Sequence, residues 1–471
     1  MPVCQMSNIV SLPDAPAHLC SKPRSPANRV CGTVGGKPCS VRRGQASHFC
    51  KLPSAVNSRY GWPPALFALS ICWAGARLLC PVTLREKYRS AGSDPANRHL
   101  TVMTFNSKKI DRVIFTESSP DIGGQERQLL IQMRSLLASG TDVVLACRPD
   151  SRVGALATTM NIQTVTLPFR NSADPRTIIG LYRLIAAMRP AACFCHSGHD
   201  TNNLAIAARI FGRNRPRLIR SKAYLVGKIS EYSYNYFVDV TFAPSKYLRS
   251  RILSNSRVDP KRVEVIYPGV DFEKLDAECH LDLPSDLSHW IERKRGALIV
   301  QVGMLRGEKG HLLMLDAISK VRSRWPALHF AIVGSGPEQE SIKQRAIELG
   351  LYDQIWMGEL PSVAAILKKA DLVVMPSVVE ALGQAQIEAA GLGIPIVASN
   401  IGGIPETISH LETGLLAEPN ANDFAQWLDY ALSHPDDMRM MAHRAQADVR
   451  SRFSIENNAS ALKSLITRQV R

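Results

Sequence analysis

Residues 376–399 read PSVVEALGQAQIEAAGLGIPIVAS. The apolar run Asp371–Met375 (DLVVM) leads into them and has the pattern of a parallel strand buried on both faces. A short loop carries Glu380. Gly383 then opens an apolar helix that holds Ile387, Ala389 and Ala390, Gly391 and Gly393 close it, and IPIVAS is the next strand. The unit is β-loop-α-β, with one carboxylate on its loop and another, Glu388, inside its helix. A glycine before a helix lets backbone amides approach an anion, and the helix amino end favours negative charge. Gly383 and Glu388 are five residues apart, roughly 7–8 Å along a helix at ~1.5 Å per residue. A diphosphate held at the amino end therefore has its ribose within reach of Glu388.

The pattern continues on both sides. Upstream, ALIVQVGML starts at Ala297 and RGEKG follows it, with Arg306 and Lys309 in the turn. A helix of Leu312, Leu313, Leu315, Ile318 and Val321 comes next. His329–Val333, Ile355–Leu360 and Asp371–Met375 read as further strands with helices between them. Downstream come Gly402-Gly403-Ile404-Pro405-Glu406 and terminal helices. Strands alternating with helices predict an α/β domain with a doubly wound parallel sheet. The turn Gly334-Ser335-Gly336 has Gln339 where a dinucleotide fingerprint needs its third glycine, which argues against a dehydrogenase.

The preceding half has the same rhythm. Arg112–Glu117 (RVIFTE) is a strand, Gly123-Gly124 marks the turn into a helix with Leu129, Leu130, Met133, Leu136 and Leu137, and Thr141–Cys147 is the next strand. Asn161–Phe169 predicts a strand, Thr177–Met188 a helix, and Ala191–His196 (AACFCH) a strand that runs into SGHD. On a strand Cys193 and Cys195 point away from His196, so these residues with His199 do not form a metal set. His196 falls at a strand's carboxyl end, where open α/β sheets bind ligands. Arg209, Arg213, Arg215, Arg217, Arg220 and Lys222 precede Tyr224, Tyr232, Tyr234, Tyr236 and Phe237. That mixture fits either an anionic membrane interface or a solvated basic loop beside a buried strand. Residues 272–294 are polar and charged and read as a linker.

The proline before the loop, the Glu380-x7-Glu388 spacing, the glycine-ended helix and Gly402-Gly403 together resemble the retaining GT-B glycosyltransferases of family 4, the group 1 glycosyl transferases. The resemblance covers residues 110–465. It implies two Rossmann-like domains facing a cleft: an acceptor-binding domain at 103–275, a linker at 276–296, and a nucleotide-sugar-binding domain at 297–471 whose final helices return to the first. It implies that Glu380 contacts the donor sugar and Glu388 the ribose, and that Lys309 holds the phosphates. His196, with Ser197 and Asp200, matches a family segment whose histidine faces donor sugar and acceptor. Backbone at Gly383, Gly402 and Gly403 lines the donor pocket, and Gly123-Gly124 faces the cleft. The implied reaction is same-face transfer to a cell-surface glycan or glycolipid, in lipopolysaccharide or exopolysaccharide synthesis, with a nucleoside-diphosphate sugar as donor and no cofactor.

The departures are specific. Ala381 replaces a glycine, Pro268 replaces an asparagine, and the Arg-rich segment lacks a terminal histidine. Met304 stands where the family places an arginine, leaving Arg306 as the nearest substitute. Met304 and Ala381 keep open a protein that binds nucleotide sugar without catalysis.

Of the net charge of +16, residues 1–100 carry +10, 101–275 carry +11 and 276–471 carry −5. A basic first half suits an anionic partner. No zinc finger or RRM pattern points to nucleic acid, which leaves an anionic membrane or a phosphorylated glycolipid, and a cytoplasmic protein peripheral to the membrane's inner face. No Asp-x-Asp motif occurs, so metal is not expected to assist diphosphate departure. Seven of the 11 cysteines lie in residues 1–100, and Cys147, Cys193 and Cys195 sit in apolar runs as small hydrophobes. Residues 1–102 read as a leader, either transit-like, weakly membrane-associating, or an extension ahead of a start at Met103. Its most apolar piece, Ala65–Ala76, is too short to span a bilayer.

Overall fold

The computed structural model describes residues 111–223, 229–293 and 296–468. The leader read at 1–102, residues 103–110 of the first domain, and Tyr224 lie outside the described residues.

Two parallel sheets organise the chain. The first is built from β1 (Arg112–Glu117), β2 (Asp142–Cys147), β3 (Gln163–Thr166), β4 (Ala192–Cys195), β5 (Arg217–Ser221), β6 (Val240–Ala243) and β7 (Val263–Val265), in the order β3-β2-β1-β4-β5-β6-β7. The second holds β8 (Leu298–Val302), β9 (His329–Val333), β10 (Ile355–Gly358), β11 (Leu372–Met375), β12 (Ile396–Ser399) and β13 (Leu415–Ala417), in the order β10-β9-β8-β11-β12-β13. Every pairing is parallel. Parallel strands need crossover helices on both faces, which is why β4, β6, β9, β11 and β12 are buried along their whole length.

Each sheet reverses its strand order once, between β1 and β4 in the first and between β8 and β11 in the second. Such reversals open a crevice at the strands' carboxyl ends, where ligands of open α/β sheets bind. The sequence places Glu117 and His196 at the first reversal, and the Lys309 and Glu380 loops at the second.

The segment read as a linker folds differently. Phe272–Glu278 and Ser285–Glu292 are helices, and Phe272, Leu275 and Leu287 are buried in the second sheet's core. The Asp271 side chain caps the first of them by accepting from Lys274 N. Three apolar residues in a charged stretch were enough to anchor it, a signal too sparse for a periodicity reading. The chain passes between the two cores from Ile266 to Val270. It returns beside that crossing, where Val270 N donates to Phe453 O (2.8 Å). The last helix, Ile455–Thr467, buries Leu462, Leu465 and Ile466 in the first sheet's core.

Candidate active site

At the second reversal the loops after β8 and β11 lie back to back, with Val378 N donating to Glu308 O (2.9 Å). This brings Lys309 Nζ to 2.6 Å from Glu380 Oε2. The side chains retain 24% and 12% of their exposure, so the pair is half-sheltered but reachable. Ser377 Oγ donates to Glu380 Oε2 (3.3 Å) and Ala381 N to Glu380 Oε1 (3.2 Å), while Gln301 Nε2 fixes the Lys309 carbonyl (2.9 Å). A cation and a carboxylate held this way suit a ligand carrying both an anionic and a polyhydroxyl part.

Gly383, at φ +94°, turns the chain into the helix Gln384–Gly391, whose first-turn amides are free of intrahelical partners. Glu388 follows within that helix and accepts from Gln384 Nε2 (3.2 Å). Burial pushes the Glu388 carboxyl up to about 6, opposed by Gln384 and by the charge of Arg127, which belongs to the first lobe.

Gly402 and Gly403 support the Glu380 loop from beneath. A Cβ on Gly402 would lie 2.0 Å from Glu380 O, and one on Gly403 2.0 Å from Ala381 O. The two glycines are the bed on which the Glu380 loop rests, and Gly403 N donates to Glu380 O (3.3 Å). Any side chain here would lift that loop, which is a reason for glycine independent of ligand.

Arg306 is exposed. Its Nη1 is 4.0 Å from Glu308 Oε1, ahead of the 3-10 turn Gly307–Lys309. Met304 is 42% exposed.

At the first reversal His196 sits at the end of β4 with 2% exposure. Its backbone N donates to Asp200 Oδ2 (2.9 Å), and its Nδ1 is 3.2 Å from Thr116 O and 4.0 Å from Glu117 Oε2. Nε2 is buried without a partner among the described residues. Burial holds the imidazole below its ordinary range, so it is neutral near pH 7. Asp200, fully buried, also accepts from Thr116 Oγ1 (3.2 Å) and Ser197 Oγ. The His-Ser-x-x-Asp segment is thus a clamp on the strand end, and no hydrogen bond joins His196 to the Lys309–Glu380 pair. Glu117, which the sequence reading passed over, is fully buried beneath the Gly123-Gly124 turn and accepts from Ser119 N (2.9 Å) and Gln125 Nε2 (3.3 Å). Burial, with Asp200 nearby, pushes its carboxyl up to about 8, so it carries a proton at neutral pH. Its signal in the sequence was a lone acid ending an apolar strand. Gly123 caps the helix Gly124–Ala138 and donates its N to Glu126 Oε2 (2.8 Å); a Cβ on Gly124 would meet nothing within 4 Å.

Much of the basic and aromatic run is spent internally. Arg220 is buried over the Tyr234 ring (3.9 Å) and bonded to Thr241 and Ser233, and Arg215 forks onto Asp239 (2.6 and 2.5 Å). Arg209 covers the Phe237 ring and donates to Tyr236 O. Tyr232 and Tyr236 remain 64% exposed and Ile210 60%. Among the described residues no three His, Cys, Asp or Glu could hold a metal ion together, and no helix is long and apolar enough to cross a membrane.

Two family models match the chain: Glycosyltransferase Family 4 over residues 122–274 and Glycosyl transferases group 1 over residues 287–448. Among curated relatives, a D-inositol 3-phosphate glycosyltransferase of Segniliparus rotundus is 31% identical over 221 residues, 43% of this chain and 46% of that protein. The chain thus spans about half the length of the curated relatives it matches. Solved glycosyltransferase structures share the fold. A glycosyltransferase from Rickettsia africae superposes with TM-score 0.67 at 20% identity, covering 77% of this chain and 100% of that one. Anabaena HepE, in complex with UDP and glucose, superposes with TM-score 0.64 at 19% identity, over 76% and 99%.

Proposed function

From a chain that belongs to the GT-B glycosyltransferases of group 1 and family 4, we propose an enzyme that moves a sugar from a nucleoside-diphosphate sugar to a hydroxyl of a cell-surface glycan or glycolipid, with retention of configuration. The observation that carries the reading is the Lys309–Glu380 pair at a strand-order reversal, with Glu388 in the helix that Gly383 opens. In this reading Lys309, Arg306 and the free amides of the helix Gln384–Gly391 take up the negative charge that grows on the departing diphosphate. Glu380 accepts hydrogen bonds from the sugar hydroxyls, and Glu388 from the ribose. The acceptor hydroxyl attacks the anomeric carbon from the face the diphosphate leaves and hands its proton to the leaving phosphate oxygen. The diphosphate charge is met by protein cations, and the reaction is expected to proceed in EDTA.

HepE's complex with UDP and glucose and the phosphorylated acceptor named for the Segniliparus relative support a nucleotide-sugar donor and an anionic acceptor. The net +11 of residues 101–275 suits the latter. Screening UDP-, GDP- and ADP-sugars for nucleotide release, with and without lipid acceptor, tests the proposal. A second reading, binding without catalysis, rests on Met304 in the arginine position; nucleotide binding with no release from any donor would favour it.

Glu388 makes a pH prediction. The free protein's carboxyl ionises around pH 6, and ribose hydroxyls donate to its ionised form. Donor affinity therefore falls as pH drops below about 6 and levels off above 7. Glu388→Gln is expected to flatten this profile and to cost about 1.5–3 kcal/mol, roughly 10- to 150-fold in affinity, as loss of a charge-assisted hydrogen bond. Calorimetry between pH 5 and 8 decides it, and an unchanged affinity removes Glu388 from the ribose site.

The exposed Tyr232, Tyr236 and Ile210, beside Arg213, suit peripheral attachment to an anionic cytoplasmic membrane face. Co-sedimentation with phosphatidylglycerol vesicles, absent with neutral phosphatidylcholine, is the expected result. Replacing both tyrosines by serine should lower the bound fraction at least threefold; equal binding of the variant excludes this face.

A further inference from the structure

Glu406 belongs to the second lobe, one 3-10 turn beyond Gly402-Gly403, yet among the described residues its carboxylate accepts two backbone hydrogen bonds from the first lobe and one from Tyr267 in the segment that crosses between the cores. Lys246 N donates to its Oε2 (2.9 Å), Tyr247 N to its Oε1 (2.7 Å) and the Tyr267 hydroxyl to its Oε2 (3.0 Å). Lys246 and Tyr247 open the helix Lys246–Leu253, whose first amides have no partner within the helix. A carboxylate is the group such an end favours, through both hydrogen bonds and the helix dipole. Burial and the bond to Glu406 push the Tyr267 hydroxyl up to about 12, so it remains a donor.

A second bond runs beside this one in the same sense, from a first-lobe donor to a second-lobe acceptor. Ser245, fully buried, caps the same helix by accepting from Leu248 N (3.0 Å) and donates its hydroxyl to Ala381 O (2.6 Å). Ala381 is the residue after Glu380, and its methyl packs against the first-lobe cluster of Tyr234, Leu248 and Ile252. The Glu380 loop is therefore held on two sides: its carbonyls lie on Gly402-Gly403 beneath, and Ser245 grips it from across the lobe boundary. The Glu406 bonds fasten that glycine bed to the first lobe, and Arg452 Nη1 braces the Glu406 carbonyl (2.9 Å).

We propose that Glu406 and Ser245 form an interlobe latch that sets the Glu380 loop in its working register when the lobes meet, and that they are positioning residues for the transfer. Neither belongs to the Lys309–Glu380 pair. The latch rests on the transfer reading above, but its bonds can be observed apart from turnover.

The test uses the full chain. Hydrogen exchange of the segment 244–253 reads the latch directly, because helix-opening amides exchange fast unless something outside the helix accepts from them. In the wild type with UDP, the Lys246 and Tyr247 amides are expected to exchange at least tenfold more slowly than in Glu406→Ala, while later amides of the helix keep their rates. In turnover, Glu406→Ala should lower kcat at least tenfold with the donor KM within threefold, since the donor's groups lie in the second lobe. Ser245→Thr, which keeps cap and donor, should restore what Ser245→Ala loses. Equal exchange of the two amides in wild type and Glu406→Ala overturns the latch. So does a variant that keeps wild-type kcat, or one whose kcat and KM change only with its melting temperature. If wild type releases no nucleotide from any donor, the transfer reading fails, while slowed amides in wild type alone still establish the latch.

Discussion

Lys309→Ala is expected to lower kcat/KM by about 10²–10³, the loss that follows removal of one preorganised charge-stabilising group from a sheltered site. Two effects act in the same direction. The cation that meets the departing diphosphate disappears, and Glu380, its partner at 2.6 Å and only 12% exposed, is left as an uncompensated carboxylate beside an anion. The second effect can be separated from the first. Glu380→Gln releases Lys309 from its ion pair, so binding of UDP itself should hold or tighten while sugar transfer falls. In Lys309→Ala both should weaken. A Glu380→Gln variant that loses UDP affinity as severely as Lys309→Ala would show that the pair acts on the diphosphate as a unit, and would remove the separate sugar-binding role of Glu380. Stability distinguishes the roles further. A half-sheltered pair that loses one partner costs on the order of 1–3 kcal/mol, between a surface and a buried ion pair, so a melting temperature that collapses in either variant would point to a structural function.

What could be read in the sequence was what local chemistry dictates. The apolar runs ending in Met375 and Ser399 had to be buried strands, because both their faces are apolar, and the glycines bounding Gln384–Gly391 had to end or open a helix. That fixed the second reversal, and with it the meeting of Lys309 and Glu380, which are separated by 71 residues. The first reversal was less legible. His196 was found because it ends a strand, but its burial beside Glu117 depends on how the helices Gly124–Ala138 and Gly198–Arg209 close over the sheet, and no spacing encodes that. Glu406 was visible in Gly-Gly-Ile-Pro-Glu without a role, since its partners are backbone amides 160 and 159 residues away. Backbone donors leave no trace in side-chain identity. Arg215 and Arg220 were legible as charge and illegible as structure because the Asp239 carboxylate and the Tyr234 ring that engage them lie on the approach to the next strand, at no spacing a pattern encodes.

Arg306→Ala should approach the effect of Lys309→Ala, about 100-fold or more in turnover, if the charge that the family resemblance expects at position 304 has moved two residues along. The loop makes this geometrically reasonable. Among the described residues the Arg306 side chain is paired with Glu308 alone, at 4.0 Å and screened by solvent, and both Arg306 and Met304 are exposed on the segment that leads into Lys309. An arginine so weakly held at home can swing to a diphosphate at small cost, because a fork of guanidinium donors matches phosphate oxygens better than a lone carboxylate at that range. If Arg306 is instead a solvated turn residue, its removal changes turnover less than about threefold, the scale of a surface ion pair. Met304→Arg sharpens the choice. A gain in wild type means that the natural site is short of one positive charge, and rescue of Arg306→Ala means that positions 304 and 306 serve one phosphate. Methionine is uncharged but long and flexible, so the exchange to arginine fills a similar volume and adds the charge alone. Failure of Met304→Arg to raise turnover, together with a mild Arg306→Ala, would leave Lys309 and the amides ahead of Glu388 as the whole of the diphosphate's support. The EDTA-treated enzyme must then show the same nucleotide release as the untreated one if those groups suffice.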